Sequence, residues 1–445
     1  MQRKYRSWMG IILASLVVLI SISPPMRSFY ALPAAFKVNV GEQFGLDLQL
    51  PQCLLNSFNV EIKTVPENLL NIDKKGTNSL GSFLQGEDRP RINKPGQINL
   101  KLKLFGLIPL KKLQVDAVDE IKLYPGGHSI GVLLKTQGVI ITGYSPVVDQ
   151  GRSYLPAKEA GLEIGDIIKE INNYPISSDE ETLRLIHELG QKGAPIVLLI
   201  QRNRQQIEIP VSPAYCRETG RYRVGLYIRD SAAGVGTLTF FEPNTLIYGA
   251  LGHVIADAET SQQIAQGEGK IINASIQGIQ QARRGQPGEK IGIFTDSQII
   301  LGDIQKNTQA GIFGVLKSRL DNELYPHPLP VAFAHQVETG PARMLTVVDQ
   351  EKIESFAIEI TKIVPQRLPS GKNLVIQITD PRLLSLTGGI VQGMSGSPII
   401  QKNRLVGAVT HVFVNEPTKG YGILAEWMLM ETDLLQLEEK NKGAA

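Results

Sequence analysis

Two short stretches of the chain hold residue types that could perform nucleophilic chemistry together. GMSGSP, residues 393–398, places Ser395 and Ser397 between glycines and a proline, and GALGHVIAD, residues 249–257, places His253 after a glycine turn. A serine hydroxyl is a weak nucleophile until an imidazole takes its proton, and the imidazole needs an acceptor to fix its tautomer. The loop pattern Gly-X-Ser-Gly-X-Pro permits a tight backbone whose successive N–H groups point inward. The amides of Gly393 and Ser395 are therefore the predicted oxyanion-hole donors. The chemistry implied is acyl transfer, with Ser395 as nucleophile and His253 as general base. Ser397 shares the loop, and its position before Pro398 suits a loop-shaping residue. On residue type alone Asp257, Asp296 and Asp303 are all open as the carboxylate partner. His128, His327, His335 and His411 show no paired spacing and are expected to be structural. No metal or cofactor is implied.

The elements that must position these loops are mostly strands. The chain has 445 residues, too many for one ordinary core, so about two to four domains are expected. Its hydrophobic fraction of 42% and charged fraction of 20% are those of a folded protein, and 43 glycines with 26 prolines favour turns and short strands. The fold class expected is mainly β. With 46 basic against 43 acidic residues and no basic-aromatic patch, nucleic acid is excluded as a partner. Residues 29–118 alternate apolar and polar positions, with Ile98, Leu100, Leu102 and Leu104 on one face. They are read as a small antiparallel β domain without chemistry of its own, a spacer or interaction module.

Residues 119–213 change pattern: a glycine-rich run GGHSIGVLL, the segment AGLEIGDIIKEIN at 160–172, a helix at DEETLRLIHELG and a closing strand. This run resembles a PDZ domain, an α+β fold. In such domains a peptide adds to a strand edge while a loop of backbone N–H groups receives a carboxylate. By position the resemblance assigns that loop to Ser129, Ile130, Gly131 and Val132. His187, on the expected helix, either touches a ligand or faces solvent.

The block from 225 to 445 carries the histidine first and the serine second, the order of a trypsin-like double β-barrel. GALGHVIAD, ITDPRLLSLTGGIVQGMSGSPIIQ (378–401) and GAVTHVFVNEPTKGYGI (407–423) resemble the stage IV sporulation protein B family of serine peptidases, across most of the chain. The resemblance implies catalytic His253, Asp380 and Ser395, and substrate-pocket residues near 388–393 and 408–413. Asp380 stands only 15 residues before Ser395, whereas ordinary trypsin-like enzymes place the acid well upstream. Met394 also replaces the aspartate that usually precedes the nucleophile, so activation through a new N-terminus is closed to this chain. The family further implies self-cleavage, then cleavage of a membrane-bound regulator of an intramembrane protease, leading to late sigma-factor activation in sporulation. A non-catalytic PDZ scaffold with a peptidase-like binding domain is the competing reading.

At the N-terminus Arg3, Lys4 and Arg6 precede an apolar stretch from Trp8 to Ile22 that ends at Ser23, Pro24 and Pro25. This is the pattern of a signal peptide or signal anchor within residues 1–28. The remainder is expected to be exported and membrane-associated, by resemblance at the forespore membrane and in the space between forespore and mother cell. Cys53 and Cys216 lack metal or redox spacing and are read as two lone thiols.

Overall fold

The computed structural model describes residues 35–43, 58–66, 69–71, 91–203, 205–256, 263, 269–294, 300–364 and 371–434, with isolated positions before residue 24. The membrane-engaging segment expected within residues 1–28, apart from those positions, lies outside the described residues, as do Cys53, Asp257 and Asp296. Among the described residues no helix is long and apolar enough to cross a membrane. Two units result: residues up to 121 with Pro330–Val337, and residues 122–329 with 338–445.

In the first unit the period-2 pattern forms strands β1 (Ala35–Asn39), β2 (Phe58–Val65), β3 (Gly96–Leu104) and β4 (Ile108–Val118), in the sheet order β1-β4-β3-β2. Ile98, Leu100 and Leu102 are fully buried in its core, as their alternation predicts. One pairing departs from the antiparallel expectation. Strand β1 runs parallel to β4, with Ala35 opposite Gln114. Apolar alternation is common to both kinds of pairing, so it could not reveal the direction.

The second unit holds two closed barrels and one inserted module. The first barrel joins β5 (Ser129–Tyr144), β9 (Leu226–Phe241), β10 (Ile247–Ala250), β11 (Gly269–Asn273), β12 (Ile300–Thr308) and β13 (Gly311–Leu316). It closes because β5 pairs with β11 on one side and β9 on the other. The second barrel runs β14 (Gly340–Val347), β15 (Ile353–Ile363), β16 (Leu374–Ile378), β19 (Lys419–Leu424), β18 (Arg404–Val412) and β17 (Pro398–Gln401).

The PDZ-like module is inserted between β5 and β9, so both 16-residue strands serve two folds. Their barrel halves pair over 129–135 and 231–237, and their module halves over 140–144 and 226–229. The module adds β6 (Ile167–Ile171), β7 (Ile196–Arg202) and β8 (Gln205–Val211), beside helix α1 (Asp179–Gly190). Ser178 caps α1 by accepting from the Glu181 N–H, and acidic residues fill the first turn, where the helix dipole favours them. The motif AGLEIGD is explained locally. Asp166, 1% exposed, accepts two hydrogen bonds of 2.7 Å from the Arg202 guanidinium and one of 2.8 Å from the Glu163 N–H. The first barrel thus takes the strand half 129–135 from upstream of the module in addition to the block from residue 225, where the sequence pattern places the peptidase domain.

Candidate active site

Ser395 sits in the turn leading into β17, and that turn is held from both barrels. The Thr237 N–H donates to the Ser395 carbonyl (2.9 Å), the Thr237 hydroxyl to the Gly393 carbonyl (2.7 Å) and the Thr239 hydroxyl to the Gly396 carbonyl (2.8 Å). Both threonines are 0% exposed. From the second barrel, the Val409 carbonyl accepts from the Gly396 N–H and the Val409 N–H donates to the Ser397 carbonyl. Gly393 and Gly396 have φ of +90° and +93°, in the region that disfavours a side chain. A Cβ on Gly396 would lie 2.0 Å from the Thr237 carbonyl oxygen.

This bracing leaves specific groups unused. The N–H groups of Met394, Gly396 and Ser397 are bonded to Val391, Val409 and Met394 carbonyls, whereas those of Gly393 and Ser395 make no backbone hydrogen bond among the described residues. Gly393 and Ser395 both line the cleft that also holds His253. Two unpartnered donors beside a serine hydroxyl are the raw material of an oxyanion hole. Ser397, in contrast, is 0% exposed and does not line the cleft, which removes it as a rival nucleophile.

His253 follows β10 through Leu251 and Gly252, both at positive φ. Its loop is pinned at Ile255, whose N–H donates to the Asn307 side-chain oxygen (2.8 Å) and whose carbonyl accepts from the Asn307 amide (3.0 Å). The ring Nδ1 lies 2.9 Å from the Val254 carbonyl. A carbonyl only accepts, so Nδ1 carries the proton and Nε2 is left as the acceptor. That is the tautomer a general base needs, set here by backbone. Burial pushes the His253 imidazole below its ordinary range, partly opposed by the Val254 contact. The Ser395 hydroxyl donates to the Thr410 carbonyl (2.8 Å), not to His253. Catalytic hydrogen bonds commonly form only once substrate is present.

Asp380 is not brought to this histidine. It is the N-cap of α2 (Pro381–Thr387), with one carboxylate oxygen accepting from the Arg382 and Leu383 N–H groups (3.0 and 3.2 Å) and the other from the Ala357 N–H (3.2 Å). Burial raises its pKa, but these three donors and the Arg382 charge outweigh it and hold the carboxyl below its usual range. Its Asp-Pro signature is that of a helix start: a capping carboxylate followed by proline at the first helical position. Of the rivals, Asp303 is exposed on β12 and does not line the cleft. Among the described residues the carboxylates lining the cleft are Asp179 and Asp230.

The imidazole beside His253 is His411, which the sequence reading sets aside as structural. The two ring centroids are 5.1 Å apart, and both rings line the cleft. Burial, then the His253 and Lys372 charges, push His411 down to about 4, so it is neutral at pH 7. Thr237 and Thr239 were missed as well. Their signal was present in GTLTF: two hydroxyls at i and i+2 face one side of an otherwise apolar strand.

The assignment of a carboxylate loop to Ser129, Ile130, Gly131 and Val132 is corrected. All four are buried in the first barrel, with Gly131 opposite Val235 on one side and Ile272 on the other. A strand paired on both edges has no backbone groups left for a peptide. Bulk at Gly131 would strike the Phe294 ring at 2.5 Å and so would test barrel packing. His187 packs against its own chain, its Nδ1 accepting from the Tyr222 N–H (3.2 Å). Cys216 is a buried free thiol, lowered to about 7 chiefly by hydrogen bonds from Thr219.

Two six-stranded barrels, with a serine turn on one and a histidine turn on the other facing a shared cleft, define a serine peptidase. Residues 220–429 match the family described as SpoIVB peptidase S55. Among solved structures the chain is similar to the active form of the Rv3671c protease from M. tuberculosis, at 15% identity and a TM-score of 0.25, covering 46% of this chain and 74% of that one. It is also similar to the PDZ domain of the SdrC-like protein from Listeria monocytogenes, at 20% identity and a TM-score of 0.17, covering 21% of this chain and 90% of that one.

Proposed function

We propose that this serine peptidase is an exported endopeptidase that cleaves itself and then a membrane-bound regulator of an intramembrane protease during sporulation. In this reading Ser395 is the nucleophile, His253 the general base, and the Gly393 and Ser395 amides the oxyanion hole. The observation that carries the chemistry is the pair of unpartnered amides next to the Ser395 hydroxyl, in a cleft shared with a correctly tautomerised His253. Support for the biological setting is the family of residues 220–429 and the basic-then-apolar N-terminal pattern. Membrane association through residues 1–28, at the forespore membrane and in the intermembrane space, belongs to the same proposal.

The cycle begins when the Ser395 hydroxyl turns from the Thr410 carbonyl to His253 Nε2. Its oxygen attacks the substrate carbonyl carbon as Nε2 takes the proton, and the carbonyl oxygen gathers negative charge between the two free amides. Collapse breaks the C–N bond, with the amine leaving on the proton from His253. Water then repeats the sequence and releases Ser395 from the acyl group. The imidazolium formed on the way is held by the Val254 carbonyl, a weaker partner than a carboxylate. A substrate side chain beside Ile390, Val391 and Gln392 meets no charge there.

The test is covalent labelling of the purified protein with a fluorophosphonate, followed by mass mapping and N-terminal sequencing of processed chains. Label on Ser395, with processing absent in Ser395→Ala, is the expected result. Unchanged processing in Ser395→Ala would overturn the assignment.

A further inference from the structure

The cleft does not end at Ser395. Its volume is about 1150 Å³, and it is lined by residues 228–235 of β9 in unbroken succession and by Asp179, the first residue of α1. Strand β9 runs without interruption from the PDZ-like module into the first barrel. One of its edges is occupied by β5 along 226–237. Among the described residues the other edge is engaged only at its barrel end. There the Thr237 N–H donates to the Ser395 carbonyl, the Thr237 carbonyl accepts from the Leu251 N–H, and pairing with β10 begins at Leu238. Among the described residues no backbone pairs with this edge at 231–235.

The direction of the open groups follows from the ladder. In antiparallel pairing successive residues aim their N–H and C=O alternately at one neighbour and at the other. Thr237 aims both away from β5, so Val235, Ala233 and Ser231 do the same. They present alternating donors and acceptors at strand spacing to the cleft, with the first set adjoining Ser395. Ser231, Ala233 and Gly234 are exposed, and the run Ser-Ala-Ala-Gly-Val carries no charge and no proline. Exposed edges are usually blunted by such residues because they invite another strand. This edge is left open where it leads to the nucleophile.

We propose that the open edge of β9 binds the substrate as an added strand. Its occupant is an extended peptide segment C-terminal to the scissile bond, antiparallel to β9 and leading from Ser395 toward α1. The proposal rests on the serine-peptidase reading of the cleft and names how the substrate is held. A row of backbone donors and acceptors at strand spacing is complementary to another peptide backbone. Antiparallel pairing is the better bonded of the two directions. Since β9 runs toward Ser395, an antiparallel partner runs away from it. At about 3.3 Å per residue, the path from Val235 back to Ile228, the far end of the cleft-lining run, is about 23 Å and takes about seven substrate residues. The PDZ-like module and the catalytic cleft then read one continuous segment.

A quenched fluorogenic peptide that the full-length protein cleaves would be made in two forms, one ending two residues after the scissile bond and one carrying eight more. The long form should show kcat/KM at least about tenfold higher, mainly through KM. N-methylation at alternate residues of the added segment should remove that gain in one register and keep it in the other, and Ala233→Pro should bring the long-to-short ratio to about one. Equal rates for the two forms, a gain kept in both N-methylated registers, or a gain only from N-terminal extension would each overturn the proposal. Failure of the underlying reading looks different: the short form would be cleaved equally well by Ser395→Ala.

Discussion

The serine turn and the histidine turn face each other across one cleft, yet they are built differently. Thr237, Thr239 and Val409 hold the serine turn through its carbonyls and amides, leaving two donors free. The histidine turn is pinned by Asn307, and its ring is oriented by the carbonyl of the next residue rather than by a carboxylate. Preorganisation is therefore concentrated on stabilising the oxyanion, and the base is set up more lightly. Electrostatic stabilisation by fixed donors is commonly the largest single contribution to acyl transfer, so the emphasis is chemically coherent.

The comparison breaks if the two turns contribute otherwise than this. Ser395→Ala should lower kcat by at least about 10³-fold while the melting temperature stays within a few degrees, because only a hydroxyl is lost. Ser397→Ala should keep most activity, since that hydroxyl is buried and has no hydrogen-bond partner among the described residues. His253→Ala should cost about 10²- to 10⁴-fold. Adding it to Ser395→Ala should cost little more, because the pair acts as a unit. Peptide cleavage and thermal melts on the same preparations decide these outcomes.

Asp380 sharpens the comparison, for it belongs to neither turn. A triad acid changed to asparagine loses about 10⁴-fold in kcat through the wrong histidine tautomer. A helix cap changed to asparagine still caps. Asp380→Asn should therefore keep activity within about tenfold, whereas Asp380→Ala should cost about 1 kcal/mol of stability. A loss near 10⁴-fold in Asp380→Asn at unchanged stability would return Asp380 to the catalytic group.

The legible and illegible parts of this molecule divide along physical lines. GMSGSP and GALGHVIAD announced their turns because glycine and proline constrain local backbone, and local constraints are written in adjacent residues. The insertion of the PDZ-like module into the first barrel was not legible. Strands β5 and β9 each pair with different partners along their two halves, and alternation records which face is buried, not which strand lies alongside. Ser129 to Val132 were misplaced for that reason. His411 was missed because its neighbour is 158 positions away in sequence, although 5.1 Å away in space.

A smaller effect separates the two turns by pH. General-base catalysis requires neutral His253, and burial lowers its pKa, so the neutral form persists to lower pH than for an exposed histidine. The acidic limb of kcat/KM should accordingly fall below the ordinary histidine range. Replacing the neutral neighbour by a permanent cation, His411→Lys, should push that limb further down, because a second positive charge opposes protonation. A limb moving upward in His411→Lys would contradict the pairing of these rings.

The smallest expected effect concerns what lies beneath the serine turn. Lys290 is 4% exposed, its ammonium donates to the Thr346 hydroxyl (2.7 Å), and its methylenes would stand 3.1 Å from a Cβ on Gly393. Burial pushes its pKa down to about 7. Between that value and the ordinary lysine range the unfolded chain holds a proton that the folded chain lacks, so stability rises with pH across this window. The limiting slope for one proton is about 1.4 kcal/mol per pH unit. Lys290→Met keeps the apolar packing against Gly393 and removes the titration, at the cost of leaving the Thr346 hydroxyl unpartnered. Urea unfolding at a series of pH values from 7 to 10 should show the parent gaining stability relative to Lys290→Met as pH rises. Parallel curves for the two proteins would mean that Lys290 is charged in the fold, and that the support under the serine turn is ionic rather than apolar.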